Sequence, residues 1–198
     1  MDQTRLSLLH RVQSGSDDAW QHFVRLYVPL IRGWFLRNGV DHHDAEELSQ
    51  DVMTIVIRKI GDFTHSGRTG AFRNWLRVIT VNRAREFWRS TTNRPTARGG
   101  NTFMEVVEQL GDENSIMAKS WDEEHDQYLL RQLFQLISAD FEESTLKIFR
   151  RLVLDVADPE TVAAEFETTT GAIYSAKSRV LRRLRREADG IIDDFHFS

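Results

Sequence analysis

Between Trp20 and Phe35 the side chains Trp20, Phe23, Val24, Tyr27, Leu30, Ile31, Trp34 and Phe35 recur at spacings of three and four residues. That period places all of them on one face of an α-helix and has no counterpart in a strand, where side chains alternate with a period of two. The same spacing returns along most of the chain. Runs of alternating β-branched residues are nearly absent, and only three prolines interrupt the 198 residues. The pattern predicts an all-α fold.

The helices follow from their caps and breakers. Leu6, Leu9 and Val12 make a short first face, and Ser16 or Asp17 is placed to cap the next helix. Pro29 inside the long stripe, helped by Gly33, predicts a kink, and Asn38-Gly39 reads as its end. A third helix is expected from about Asp44 to Ile60, with Leu48, Val52, Ile55, Val56 and Ile60 inward. Gly61 to Gly70 reads as a loop. A fourth helix is expected from about Ala71 to Ser90, with Phe72, Trp75, Leu76 and Ile79 inward.

Residues 91–100, with their Asn-Arg-Pro and Gly-Gly-Asn runs, break the pattern. The organisation expected is a helical domain over 1–92, a flexible acidic linker over 93–121 with room for short helical pieces, a second helical domain over 122–190 and a tail over 191–198. In the second domain Asp158-Pro159-Glu160 is a helix start, with Asp158 as cap and Pro159 in the first turn. Thr168 to Gly171 is a turn, and a last long helix carries Ile173, Ala176, Val180, Leu181 and Leu184 inward. The tail, apolar and acidic, is compatible with packing on the second domain or with binding a partner.

The chain has no cysteine, which excludes disulfides, thiolate zinc sites and cysteine nucleophiles. No apolar run approaches the length of a membrane span, and Met1 to Leu6 lacks the basic start of a signal peptide. A cytoplasmic protein without membrane insertion is therefore expected.

The formal net charge is -4, which taken as a total argues against a nucleic-acid partner. Its distribution reverses that argument. Arg68 to Arg98 holds eight arginines against Glu86 alone, a charge of +7. Lys177, Arg179, Arg182, Arg183, Arg185 and Arg186 meet no acid between them, a charge of +6. Between the two, Glu105 to Asp126 carries -7. Two cationic segments on two domains suit two contacts along one duplex. The acidic segment between them is suited to mask both in the free protein.

Three segments carry the chemistry. Pro159 to Arg186 has the layout of a helix-turn-helix, with Ala163 small where the helices cross and Val162, Phe166, Ile173 and Val180 setting the angle. Its second helix offers Thr170, Ala172, Tyr174, Ser175, Ser178, Arg179 and Arg182 outward, residue types that suit base edges and phosphates. Phe72 to Arg89 interleaves arginines with aromatics, which suits unstacked single-stranded DNA. Phe87 and Trp88 are adjacent, so one of them is expected on the surface. Asp41 to Asp51 is acidic: the helix dipole accounts for acids in a first turn, and Asp44, Glu47 and Asp51 also form a stripe ready for a basic partner. His43 with Glu47 has metal-ligand spacing, and a His-Asp dipeptide such as His43-Asp44 also occurs in metal-dependent phosphohydrolases, but His10, His22 and His65 form no converging pattern. No metal, no cofactor and no catalytic residue is expected.

In this order the segments Asp44-Ala45-Glu46-Glu47-Leu48-Ser49-Gln50-Asp51, Phe72 to Arg89 and Val162 to Leu184 resemble the extracytoplasmic-function sigma factors, the small two-domain branch of the sigma-70 family. The resemblance implies a transcription initiation factor without enzymatic activity. It implies docking on the clamp helices of the largest subunit of core RNA polymerase through Asp44, Glu47, Leu48, Gln50 and Asp51. It implies opening and holding of the minus-ten promoter element by Asn82, Arg83, Arg85, Glu86 and Arg89 with the loop 61–70. The second domain would then read the minus-thirty-five element as duplex, and an anti-sigma protein is a further partner of the kind the resemblance allows. Three positions depart from the family pattern: Glu86 stands where Asp is frequent, Ile137 to Asp140 lacks a Leu-Pro, and Glu167 occupies the place of a turn glycine. The alternative is a stand-alone helix-turn-helix regulator. Such proteins usually act as dimers, and the chain has no evident heptad helix to make one.

Overall fold

The computed structural model describes residues 7–91 and 100–192, and among these all regular structure is helical. Nine α-helices follow one another among the described residues: α1 Leu8–Gln13, α2 Asp17–Arg37, α3 His42–Lys59, α4 Ala71–Thr91, α5 Gly100–Gly111, α6 Ile116–Ile137, α7 Glu143–Val153, α8 Pro159–Glu165 and α9 Thr170–Ala188. The helix starts are chemically specified. Ser16, Asp41, Ser115, Asp158 and Thr169 each accept a hydrogen bond from a first-turn backbone N–H. Such a cap satisfies a donor that the helix itself leaves open. Asp41 therefore starts α3 at His42, two residues before the start read from the sequence.

The first core is built by α2, α3 and α4. Phe23, Tyr27 and Phe72 form an aromatic knot, with ring centroids 4.3 Å apart for Phe23–Tyr27 and 5.7 Å for Tyr27–Phe72. Leu48, Val52 and Val56 of α3 and Leu76 of α4 close it and are fully buried. α2 continues through Pro29, which sits on the exposed side of the helix.

The segment expected as a flexible linker over 93–121 is helical over 100–111 and again from 116; residues 93–99 lie outside the described residues. α5 buries Phe103, Val107 and Leu110, spaced by four and three, against α4. α6 begins at Ile116 and seats Trp121 edge-on against Trp34 of α2, with centroids 5.5 Å apart. Glu105, Glu108, Asp112, Glu113, Glu123 and Glu124 are exposed on the outer side, whereas Asp122 and Asp126 turn toward Arg73 of α4 beside the inward apolar stripe.

α6 belongs to both halves of the molecule. Its later residues Leu129, Leu133 and Ile137 join Phe149, Val162, Ile173, Val180 and Leu184, and the buried cluster runs on through them without a break from the residues of α2 to α4. The far end of α9 returns to α1. There Glu187, 1 % exposed, accepts from Arg11 and from Arg183 Nη1 at 2.6 Å. Ile191 and Ile192 at the start of the tail are buried; residues 193–198 lie outside the described residues. Among the described residues no helix is long and apolar enough to cross a membrane.

Candidate nucleic-acid interface

α4 carries the first group of expected contacts. Asn82, Glu86 and Arg89 are exposed. Arg83 is turned toward α3, where Nε and Nη2 donate to Asp51 Oδ2 at 2.9 and 2.5 Å. Arg85 is turned toward α5 and forks onto Glu108. Its guanidinium holds the Glu108 carboxyl below the usual range, chiefly through that hydrogen bond. Neither adjacent aromatic is on the surface as expected: Phe87 is buried, and Trp88 is half-buried against Phe103 at 5.6 Å. Helix α5 covers the side on which an exposed ring was anticipated.

Before α4 the loop forms an open hollow of about 440 Å³ lined by Lys59, Asp62, Phe63, Thr64, Ser66, Ala71 and Trp75. Phe63 and Trp75 stand 5.2 Å apart as its aromatic wall. Trp75, expected wholly inward, thus shows part of its ring to this opening. The loop is fixed at its base by Gln13, whose Nε2 donates to the carbonyls of Ile60 at 3.0 Å and Phe63 at 2.8 Å. At its end Gly70 has φ +76, and a Cβ there would stand 2.6 Å from Arg73 Nε. Only glycine meets both demands at low energy.

On α3, Glu47 and Gln50 are exposed and Asp44 and Asp51 half-exposed. Burial and the neighbouring Asp41 charge raise the Asp44 carboxyl, whereas backbone hydrogen bonding lowers that of Asp41. Leu48, expected among the docking residues, is instead fully buried in the first core and has no surface to offer a partner. Among the described residues no group of three His, Asp or Glu side chains is placed to hold a metal ion.

The second group of expected contacts lies on α9. Thr170, Ala172, Tyr174, Ser175, Ser178, Arg179 and Arg182 are all exposed, and Tyr174 keeps 54 % of its surface open. Arg185 and Arg186 extend the cationic face. Arg183 does not belong to it, because it pairs with Asp140 at 2.7 Å and with Glu187. The turn before α9 holds Glu167 at φ +50. Its two flanking bonds, Glu167 N–H to the Ala164 carbonyl and Thr168 N–H to the Ala163 carbonyl, are those of a left-handed helix cap.

Sequence reasoning takes Glu108 only as one acid of a masking segment. It misses Phe103 and the chain Tyr27–His125–Asp126–Arg73, buried at Tyr27 and His125 and partly exposed at Asp126 and Arg73. The spacing of Phe103, Val107 and Leu110 was the available signal for α5. Nothing local marks His125, which bonds across from α6 to Tyr27 of α2.

The family model described as Sigma-70 region 2 matches residues 23–94. The match starts at Phe23 in α2, spans α3 and the loop, and ends just beyond α4. It therefore covers the acidic helix, the hollow and the aromatic–basic helix, and leaves α5 to α9 outside. No curated protein sequence matches the chain.

Proposed function

We propose that the protein is a sigma factor of the extracytoplasmic-function type, which directs core RNA polymerase to particular promoters and has no catalytic activity of its own. The observation that carries the reading is the Sigma-70 region 2 match across α2 to α4. In this reading Asp44, Glu47, Gln50 and Asp51 of α3 face the clamp helices of the polymerase. Asn82, Arg83, Arg85, Glu86 and Arg89 of α4 hold the opened minus-ten strand. The hollow between Phe63 and Trp75 fits this role, because aromatic walls beside a lysine accept an unstacked base and its phosphate.

The second half supports a duplex contact. α8 and α9 are a short helix, a tight turn and a long helix whose outward side is cationic and hydroxylated. Hydroxyls and arginines there suit phosphates and major-groove edges of a minus-thirty-five element. Two contacts on two halves of one chain suit asymmetric promoter DNA read by a single copy. The cytoplasm, where polymerase and chromosome reside, is the compartment this function requires.

The deciding experiment is run-off transcription with purified core polymerase on a library of genomic fragments. Discrete transcripts that need the protein are expected. Duplex binding by the free protein with no promoter-specific transcript would instead establish a stand-alone regulator.

A further inference from the structure

Arg73, Arg77, Val81, Arg85 and Trp88 lie one turn apart along α4. Residues so spaced form a single line on a helix. α6 meets the start of that line, where Arg73 Nη1 donates to Asp126 Oδ2 at 2.5 Å and Nε stands 3.4 Å from Asp122. α5 meets its end. Arg85 Nε and Nη2 donate to the two carboxylate oxygens of Glu108 at 2.9 and 2.5 Å. Phe103 covers Trp88, and a Cβ on Gly111 would stand 2.9 Å from Arg85 Nη2 and 3.5 Å from Val81 Cγ1.

We propose that α5 is a displaceable acidic cover on α4, seated where single-stranded DNA binds and exchanged for it. The idea rests on the nucleic-acid reading of α4 given above. Glu108 occupies the Arg85 fork in the bidentate manner in which a phosphate would take it, and carboxylate and phosphate compete for that geometry. Phe103 packs on the Trp88 ring at 5.6 Å, tilted by 52°, and so occupies ring surface on which an unstacked base would stack. α6 is not the moving part. It is pinned by Trp121 on Trp34 and by His125, which is fully buried and stands 3.4 Å from the Tyr27 hydroxyl.

Arg77, on the same line, favours exchange. It is 4 % exposed and bonds Asn74 through Nη2 at 2.6 Å, but its Nη1 has no hydrogen-bond partner among the described residues. A buried cation lacking a full set of partners is unfavourable, and an arriving phosphate supplies the missing acceptor.

The absence of native cysteine makes the test clean. The full-length double variant Val81→Cys/Gly111→Cys places two thiols across the α4–α5 contact. Its affinity for a labelled single-stranded DNA oligonucleotide is measured oxidised and reduced, with circular dichroism to verify the fold. Oxidation is expected to weaken binding about tenfold, the size of one charge-assisted contact, and reductant to restore it. Separately, Glu108→Gln is expected to bind the same oligonucleotide several-fold more tightly than the native chain. Equal affinities of oxidised and reduced protein, or an unchanged Glu108→Gln, overturn the cover and leave the function intact. If no form binds the oligonucleotide, alone or with core polymerase, the nucleic-acid reading of α4 falls and the cover with it.

Discussion

Arg83 of α4 donates twice to the single carboxylate oxygen Asp51 Oδ2 of α3, at 2.9 and 2.5 Å. The pair joins the helix expected to dock on polymerase to the helix expected to hold DNA. Asp51 is therefore a positioning residue for Arg83 as well as a member of the acidic stripe. Truncation of Asp51 frees a guanidinium that is otherwise held in one orientation, and Glu86, 3.4 Å from Nη1, is its remaining acid neighbour. Asp51→Ala is expected to weaken minus-ten opening as well as polymerase binding, whereas Glu47→Ala weakens polymerase binding alone. Polymerase affinity and permanganate footprinting of the opened strand separate the two. Stability should fall by no more than about 1 kcal/mol, because the pair is partly exposed.

Leu48 gives the contrasting case. It lies within the acidic run but its side chain is wholly inside the first core. Leu48→Ala is expected to destabilise the fold by about 2–5 kcal/mol, the usual range for a buried leucine. Denaturant unfolding checks this. Polymerase affinity of the fraction that remains folded should be unchanged.

Tyr27 links the fold to alkaline pH. Burial first, and the nearby Asp126 charge second, raise its phenol well above the ordinary value. The unfolded phenol ionises near about pH 10. Since the folded value is the higher one, the stability Tyr27 contributes is whole below about pH 10 and is lost as pH rises from there toward the folded value. Between pH 9 and pH 11 the native chain should therefore lose more unfolding free energy than Tyr27→Phe does. A parallel decline in the two proteins would refute the assignment.

Much of this architecture was legible from spacing and caps. The stripe from Trp20 to Phe35 became α2, and Asp158 caps α8 at Pro159 as read. What local spacing leaves out has one cause. The acids around Phe103, Val107 and Leu110 read as a solvated segment, although charge on an outer face says nothing about the inner one. Adjacency of Phe87 and Trp88 implies one exposed ring within their own helix, and the ring that packs on Trp88 comes from α5. Long-range partners of this kind, like His125 with Tyr27 across 98 positions, leave no local trace in a sequence.

Glu167 was visible as a departure from a turn glycine, and its backbone explains why glycine suits that place. At φ +50 it occupies the left-handed cap position of α8, with Thr168 N–H bonded to the Ala163 carbonyl at 2.9 Å. A side chain with a Cβ is strained there by about 1 kcal/mol. Glu167→Gly is expected to raise the melting temperature by about 2–4 °C, as suits a chain of this size. Glu167→Gln retains the Cβ and should give no gain, which separates backbone strain from the loss of a charge.

Arg179 and Arg183 stand one turn apart on α9 and are assigned opposite duties. Arg179 is exposed on the outward face, while Arg183 is bonded to Asp140 at 2.7 Å and to the buried Glu187 at 2.6 Å. Arg183→Ala leaves Glu187 with Arg11 as its remaining cation, so its expected effect is on stability and on the contact between α9 and α1. Arg179→Ala should leave the melting temperature in place and weaken duplex binding by about 1–3 kcal/mol where it meets a base. If it meets a phosphate instead, the loss is uniform across sequences and the salt dependence of binding falls by about one counterion. Titration of upstream promoter duplexes at several salt concentrations decides between base and phosphate. A stable Arg183→Ala protein with selectively impaired DNA binding would reverse the assignment of the two arginines.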